Sequence, residues 1–134
     1  MKRFLSIIAI AGLICAISSC EKDKGLLPNI SFKTGTGYTS NDASVAQNTV
    51  VLIGINASKS EDKDVLKTFE VTQMLDSGTP TSVYSETLSG SNGDNYSKDL
   101  TFTTRAVAGT EKYTFTVVNR DGLVNSVSLI ITTP

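Results

Sequence analysis

An all-β fold, an antiparallel β-sandwich of about seven strands, is what this chain of 134 residues predicts. Three observations point there. Apolar residues recur at every second position in short runs, the period of a strand with one buried face. Threonine, which favours strands, is abundant beyond Leu26. The runs are separated by clusters of Gly, Asn, Asp and Ser, which favour turns. Helical periodicity is weak throughout. Val65 to Leu75 is the one stretch worth weighing, and its period of two fits a strand better.

The elements follow in order. Asn29 to Lys33 is short and alternating. Thr49 to Ala57 is the most apolar run, with Val51, Ile53, Ile55 and Ala57 on one face. Leu66 to Leu75 places Phe69, Val71 and Leu75 on one side. Ser82 to Leu88 is polar, as an edge strand would be. Asp99 to Ala106 alternates Leu100, Phe102 and Thr104, and Glu111 to Val118 alternates Tyr113, Phe115 and Val117. Val124 to Thr132 alternates Val127, Leu129 and Ile131. Asp121-Gly122, between two alternating strands, is the strongest hairpin signal in the chain. Phe32, Phe69, Phe102, Tyr113 and Phe115 read as internal. These strands form one domain over residues 28–134, with no linker inside it and no repeat.

The first twenty residues read as an address. Lys2 and Arg3 give a basic start, and Phe4 to Ile17 is largely apolar. That run is shorter than the ~20 apolar residues a membrane-spanning helix needs, and fits a secretory signal peptide. It ends in Ile17-Ser18-Ser19-Cys20, which resembles the lipobox of bacterial lipoproteins. Small side chains let the backbone enter a peptidase cleft, and only a thiol can form the thioether. The resemblance implies removal of residues 1–19 and acylation of Cys20, so that lipid fixes the chain to a membrane. Two or more acyl chains hold a protein firmly where one does so only marginally. Cys15 leaves with the signal, so the folded part is expected to have no disulfide. Residues 20–27 form the lipidated cysteine and a tether carrying Glu21, Lys22, Asp23 and Lys24. Charged residues after the cysteine are similar to an export signal of some Gram-negative lipoproteins. This implies the outer membrane and its outer face, with the periplasmic face as the alternative.

Composition narrows the chemistry. Histidine and tryptophan are absent. No Ser-His-Asp set, histidine general base or histidine-ligated zinc can form. Removing Lys2 and Arg3 with the signal leaves ten basic against thirteen acidic residues, a poor match for nucleic acid. No catalytic residues and no cofactor are expected. Glu70 and Glu86 lie on expected strands, but sequence does not bring them together as a glycosidase pair. Glu61, Asp62 and Asp64 share one loop and Asp94 lies in another. A solvated turn is the plainer reading of them, and Asp62, Asp64 and Asp94 are the candidates for calcium. Tyr38, Tyr84 and Tyr96 lie in or near polar segments and are the candidates for a ligand-binding patch, with residues covering the rim of the core as the alternative. Asn29-Ile-Ser31, Asn56-Ala-Ser58 and Asn95-Tyr-Ser97 match the N-glycosylation pattern, and chance suffices for them in a chain this rich in serine.

Beyond the leader a second resemblance enters. Ala57-Ser-Lys-Ser-Glu-Asp-Lys-Asp64 after an apolar strand, then Glu111 to Gly122, then a final alternating strand, resembles immunoglobulin-like domains of the PKD type. Lys67-Thr-Phe-Glu-Val71 stands where that family has its Trp-Asp-Phe-Gly-Asp-Gly signature. The resemblance implies an immunoglobulin-like sandwich, with Tyr113 as a tyrosine corner whose hydroxyl ties back to the backbone. The function expected is that of a non-enzymatic envelope lipoprotein displaying this domain for contact with an envelope protein or a glycan. The alternative is a glycan- or calcium-binding accessory module of an outer-membrane uptake system.

Overall fold

The computed structural model describes residues 25–134. The expected signal peptide, Cys20 and the charged part of the tether lie outside the described residues. Among those described, no helix is long and apolar enough to cross a membrane.

Eight strands form two sheets. β1 (Asn29–Phe32), β3 (Val50–Ser58) and β6 (Asn95–Thr103) make a three-stranded sheet in the order β1-β3-β6. β2 (Ala43–Ser44), β4 (Leu66–Leu75), β5 (Thr81–Thr87), β7 (Gly109–Asn119) and β8 (Val124–Thr133) make a five-stranded sheet in the order β2-β8-β7-β4-β5. All pairings are antiparallel except β2 with β8. This is the immunoglobulin-like arrangement: β1, β3 and β6 take the A, B and E places, and β8, β7, β4 and β5 take G, F, C and C′.

Alternation decides what lies between the sheets. Val51, Ile53, Ile55 and Ala57 of β3 face Phe69 and Val71 of β4, Tyr113, Phe115 and Val117 of β7, and Leu129 and Ile131 of β8, all buried. Aromatic rings fill the middle. Phe115 meets Phe32 edge-on with centroids 5.6 Å apart, and lies 6.3 Å from Phe69 and 6.4 Å from Phe102. The β7–β8 hairpin forms at Asp121-Gly122 as expected. Gly122 takes a positive φ of 81° that a β-carbon would oppose. Asn119 Oδ1 accepts from the N–H groups of Asp121 and Leu123 at 3.1 and 2.9 Å. The free edge of β8 is blunted: Asp42 Oδ1 accepts from Ile130 N–H at 2.8 Å, and Asn125 Oδ1 from Ser126 N–H at 2.9 Å.

The structure departs from the expected pattern in four places. β6 begins at Asn95, ahead of the expected Asp99, because β3 pairs with it along its whole length. Asn95 to Lys98 hold a single apolar side chain, Tyr96, so their alternation carries little hydrophobic signal. β2 is two residues long and is held by parallel pairing with Ile131 and Thr132, a contact with no local signature. Leu75 keeps the parity of Phe69 and Val71, opposite Glu111, but does not reach the core. It ends β4 beyond the packed region and is 44% exposed. Tyr113 is not a tyrosine corner. Its hydroxyl accepts from Gln73 Nε2 at 2.9 Å and donates to Glu111 Oε1 at 3.5 Å, so it bonds to side chains and not to the backbone.

Phe115→Ala removes the ring on which the aromatic cluster converges. It is expected to lower unfolding free energy by about 3–5 kcal/mol in urea titration. Phe32→Ala, at a half-buried position, is expected to cost clearly less. Equal small losses would show that the cluster does not organise the core.

Candidate functional site

The acidic candidates are separated by their local bonds. Asp64 is 2% exposed and serves the fold. Its Oδ2 accepts from Asn119 Nδ2, and its Oδ1 from Val65 N–H at 2.8 Å. Asp64 thereby ties the β3–β4 loop to the β7–β8 hairpin. Asp94 pairs with Lys59 at 2.9 Å. Asp62 is exposed, and its carbonyl accepts from Lys59 Nζ at 3.1 Å. Among the described residues, no group of three or more acidic or thiol side chains is placed to share a cation.

Two of the three candidate tyrosines meet, and at an unexpected partner. Tyr84 on β5 and Tyr96 on β6 both donate to Glu86 Oε2, the first at 2.7 Å. Lys98 Nζ stands 3.9 Å from the same oxygen and 5.0 Å from the Tyr84 ring centroid. β5 and β6 are the edge strands of different sheets. This cluster therefore closes one open side of the sandwich. Tyr96 is 4% exposed, its ring 5.2 Å from Phe69, so it belongs to the core and not to a surface patch. Burial first, then the Glu86 carboxylate, raises the Tyr96 hydroxyl well above the usual tyrosine range. The Tyr96 and Tyr84 hydroxyls, and then Lys98, hold Glu86 below the usual carboxylate range. Glu86 lies opposite Phe69 and Glu70 opposite Ser85, so the two glutamates project to opposite faces of the β4–β5 pair. Both border a shallow hollow of about 330 Å³.

A buried carboxylate went unmarked in the sequence. Glu111 is 1% exposed. Its Oε1 accepts from Gln73 Nε2 at 3.3 Å, and its Oε2 from Arg105 N–H at 3.4 Å. Burial pushes the neighbouring Tyr113 hydroxyl up to about 12. The alternation Glu111, Tyr113, Phe115 placed this residue on the inner face, and its charge argued against burial.

Tyr38 lies apart, on the outer face of the three-stranded sheet. That face is built in cross-strand rows. Asn29, Ser58 and Asn95 form one row and Ser31, Asn56 and Ser97 the next. These residues line an open hollow of about 310 Å³. In the third row Gly54 lies opposite Asp99, and Lys33 donates its backbone N–H to Gly54. Lys33 Nζ meets Asp99 Oδ1 at 2.6 Å, and the Tyr38 hydroxyl donates to Asp99 Oδ2 at 3.0 Å. The Lys33 ammonium, with Tyr38 adding to it, holds Asp99 below the usual carboxylate range. A β-carbon on Gly54 would come within 2.6–2.8 Å of Asp99, Tyr38 and Lys33. The available signal was this glycine in the interior of the most apolar strand, which marks a close approach.

Glu86→Gln tests the seam between the sheets. A carboxylate whose folded value is depressed contributes stability above its unfolded value, and that stability is lost as pH falls through the folded value. The wild type is therefore expected to be more stable than Glu86→Gln at pH 7. The gap should close below the ordinary glutamate value of about 4.3. Urea midpoints across this range measure it, and a gap independent of pH would contradict the ionised partner.

No family model matches the chain, and no curated protein matches it in sequence. Solved structures do match. A superoxide reductase (neelaredoxin) from Ignicoccus hospitalis superposes with a TM-score of 0.54 at 8% identity, covering 81% of each chain. A CARDB domain from Pyrococcus furiosus, solved in complex with di-metal ions, aligns at 18% identity and a TM-score of 0.42, covering 83% of this chain and 97% of that one. At such identities the likeness to the reductase is one of fold alone.

Proposed function

We propose that the chain is a cell-envelope lipoprotein, anchored through acylated Cys20, that displays its sandwich for contact and performs no catalysis. The leader, its lipobox and the charged tether support the anchor. One structural observation supports contact: several of the carboxylates and tyrosines that could carry chemistry are engaged in internal pairs, while Glu70 and Asp62 stand on separate elements. Asp64 holds Asn119, Asp94 holds Lys59, Asp99 holds Lys33, and Glu86 holds Tyr84 and Tyr96. Uncommitted polar surface lies instead on open sheet faces.

The topology supports one direction of display. Asn29 begins β1 opposite Ser58 and Asn95, so the tether enters at the end that carries the β3–β4, β5–β6 and β7–β8 connections. Asp62, Asp64 and Asp94 lie at this end. The opposite end, with the β4–β5 and β6–β7 turns, stands away from the anchor. Attachment to the outer membrane with the domain on the cell surface is the reading the tether favours.

Cys20→Ala is expected to abolish incorporation of labelled palmitate and to move the protein out of the detergent-soluble membrane fraction. The β-type circular-dichroism spectrum should be unchanged. A variant that stays in the membrane fraction at the wild-type level would overturn the anchor.

A further inference from the structure

The three Asn-x-Ser tripeptides are dispersed in sequence and adjacent in space. Each supplies one strand of the same sheet: Asn29 and Ser31 from β1, Asn56 and Ser58 from β3, Asn95 and Ser97 from β6. A spacing of two puts both side chains of each pair on one face of the strand. The antiparallel register then sets Asn29 and Asn95 on either side of Ser58, and Ser31 and Ser97 on either side of Asn56. The result is a checkerboard of three amides and three hydroxyls lining the hollow of about 310 Å³. Among these six side chains the one mutual hydrogen bond is Asn29 Nδ2 to Ser58 Oγ, at 3.4 Å.

We infer that this checkerboard is a binding site for a neutral oligosaccharide, an assignment that rests on the contact function proposed above and names its ligand class. Charge selects against ionic ligands. None of the six residues is ionisable, and the charges that flank them in the strands, Lys33–Asp99 on one side and Lys59–Asp94 on the other, are paired with each other. The chemistry of the floor matches sugar hydroxyls. Every amide and hydroxyl here both donates and accepts, and strands about 4.8 Å apart present such groups at regular intervals. Tyr38 lies over Gly54, in the row next to Ser31, Asn56 and Ser97, and puts an aromatic side chain beside the floor. A protein partner is disfavoured, because its anchors would be Trp, Tyr, Arg or large apolar groups seated in pockets, and this hollow is open. The volume lies at the low end of ligand sites, enough for a short stretch of glycan.

The test is an NMR titration of the full chain in detergent micelles. The probes are maltohexaose, cellohexaose, mannohexaose and N-acetylchitohexaose, with an oligogalacturonate as the anionic comparison. At least one neutral hexasaccharide is expected to shift the amides of Asn29, Ser31, Asn56, Ser58, Asn95 and Ser97 with affinity in the millimolar range. Asn56→Ala, at the centre of the floor, is expected to weaken that binding about tenfold, the equivalent of about 1.4 kcal/mol. Asn95→Ala should weaken it too, and Thr116→Leu on the outer face of the other sheet should not. The inference is overturned if no neutral probe shifts these amides, if only the anionic one does, or if both asparagine variants bind as the wild type does. A covalent glycan on Asn29, Asn56 or Asn95 in native material would overturn it as well, since those residues would then be acceptors. Cys20→Ala moves the anchor without touching this face, so a failed anchor and a failed site read out separately.

Discussion

The sequence contains no cysteine after Cys20, so packing between the sheets must provide the cohesion a disulfide supplies in many immunoglobulin-like domains. The packing works only if every strand keeps its parity. Val51, Ile53, Ile55 and Ala57 must face Phe69, Phe115 and Leu129, and a slip of one residue would turn the whole set to solvent. The same constraint fixes the outside. Once Ile55 and Ala57 point inward, Asn56 and Ser58 point outward. Ser31, Ser97, Asn29 and Asn95 follow by pairing. The apolar core thus specifies which residues form the polar face of the three-stranded sheet, and the Asn29–Ser58, Lys33–Asp99 and Tyr38–Asp99 contacts add to it.

The two open sides of the sandwich are treated differently. On one, Glu86 gathers Tyr84, Tyr96 and Lys98 across the gap between β5 and β6. On the other, β2 leaves β1's sheet and caps the end of β8, while Asp42 and Asn125 occupy edge N–H groups. Both devices use side chains that composition alone would assign to solvent or to chemistry.

Much of the fold was legible in residue order, because a buried face leaves a period of two. Leu66–Leu75 is bounded where the pattern bounds it, and the Asp121-Gly122 turn sits between its expected strands. What was hidden depends on pairing. Asn95 to Lys98 join β6 because β3 is long enough to pair with them, not because of their own character. Ala43–Ser44 is a strand only through Ile131 and Thr132. The candidate site was legible in its parts and hidden as a whole. The spacing in Asn56-Ala-Ser58 shows two polar groups on one face, but only the register of three strands brings three such pairs together. Tyr38 was visible as a surface aromatic, whereas its seat over Gly54 depends on a turn that reverses the chain.

Register is therefore the quantity to measure. Lys59 N–H donates to Asp94 O and Thr104 N–H to Thr49 O. The intervening pairs Asn56–Ser97 and Ser58–Asn95 are accordingly the closely spaced, non-hydrogen-bonded kind. Nuclear Overhauser spectroscopy of the protein should show strong cross-strand Hα–Hα contacts between Asn56 and Ser97 and between Ser58 and Asn95. Contacts shifted by one residue, with Asn56 opposite Tyr96 or Lys98, would contradict both the packing of the core and the checkerboard built upon it.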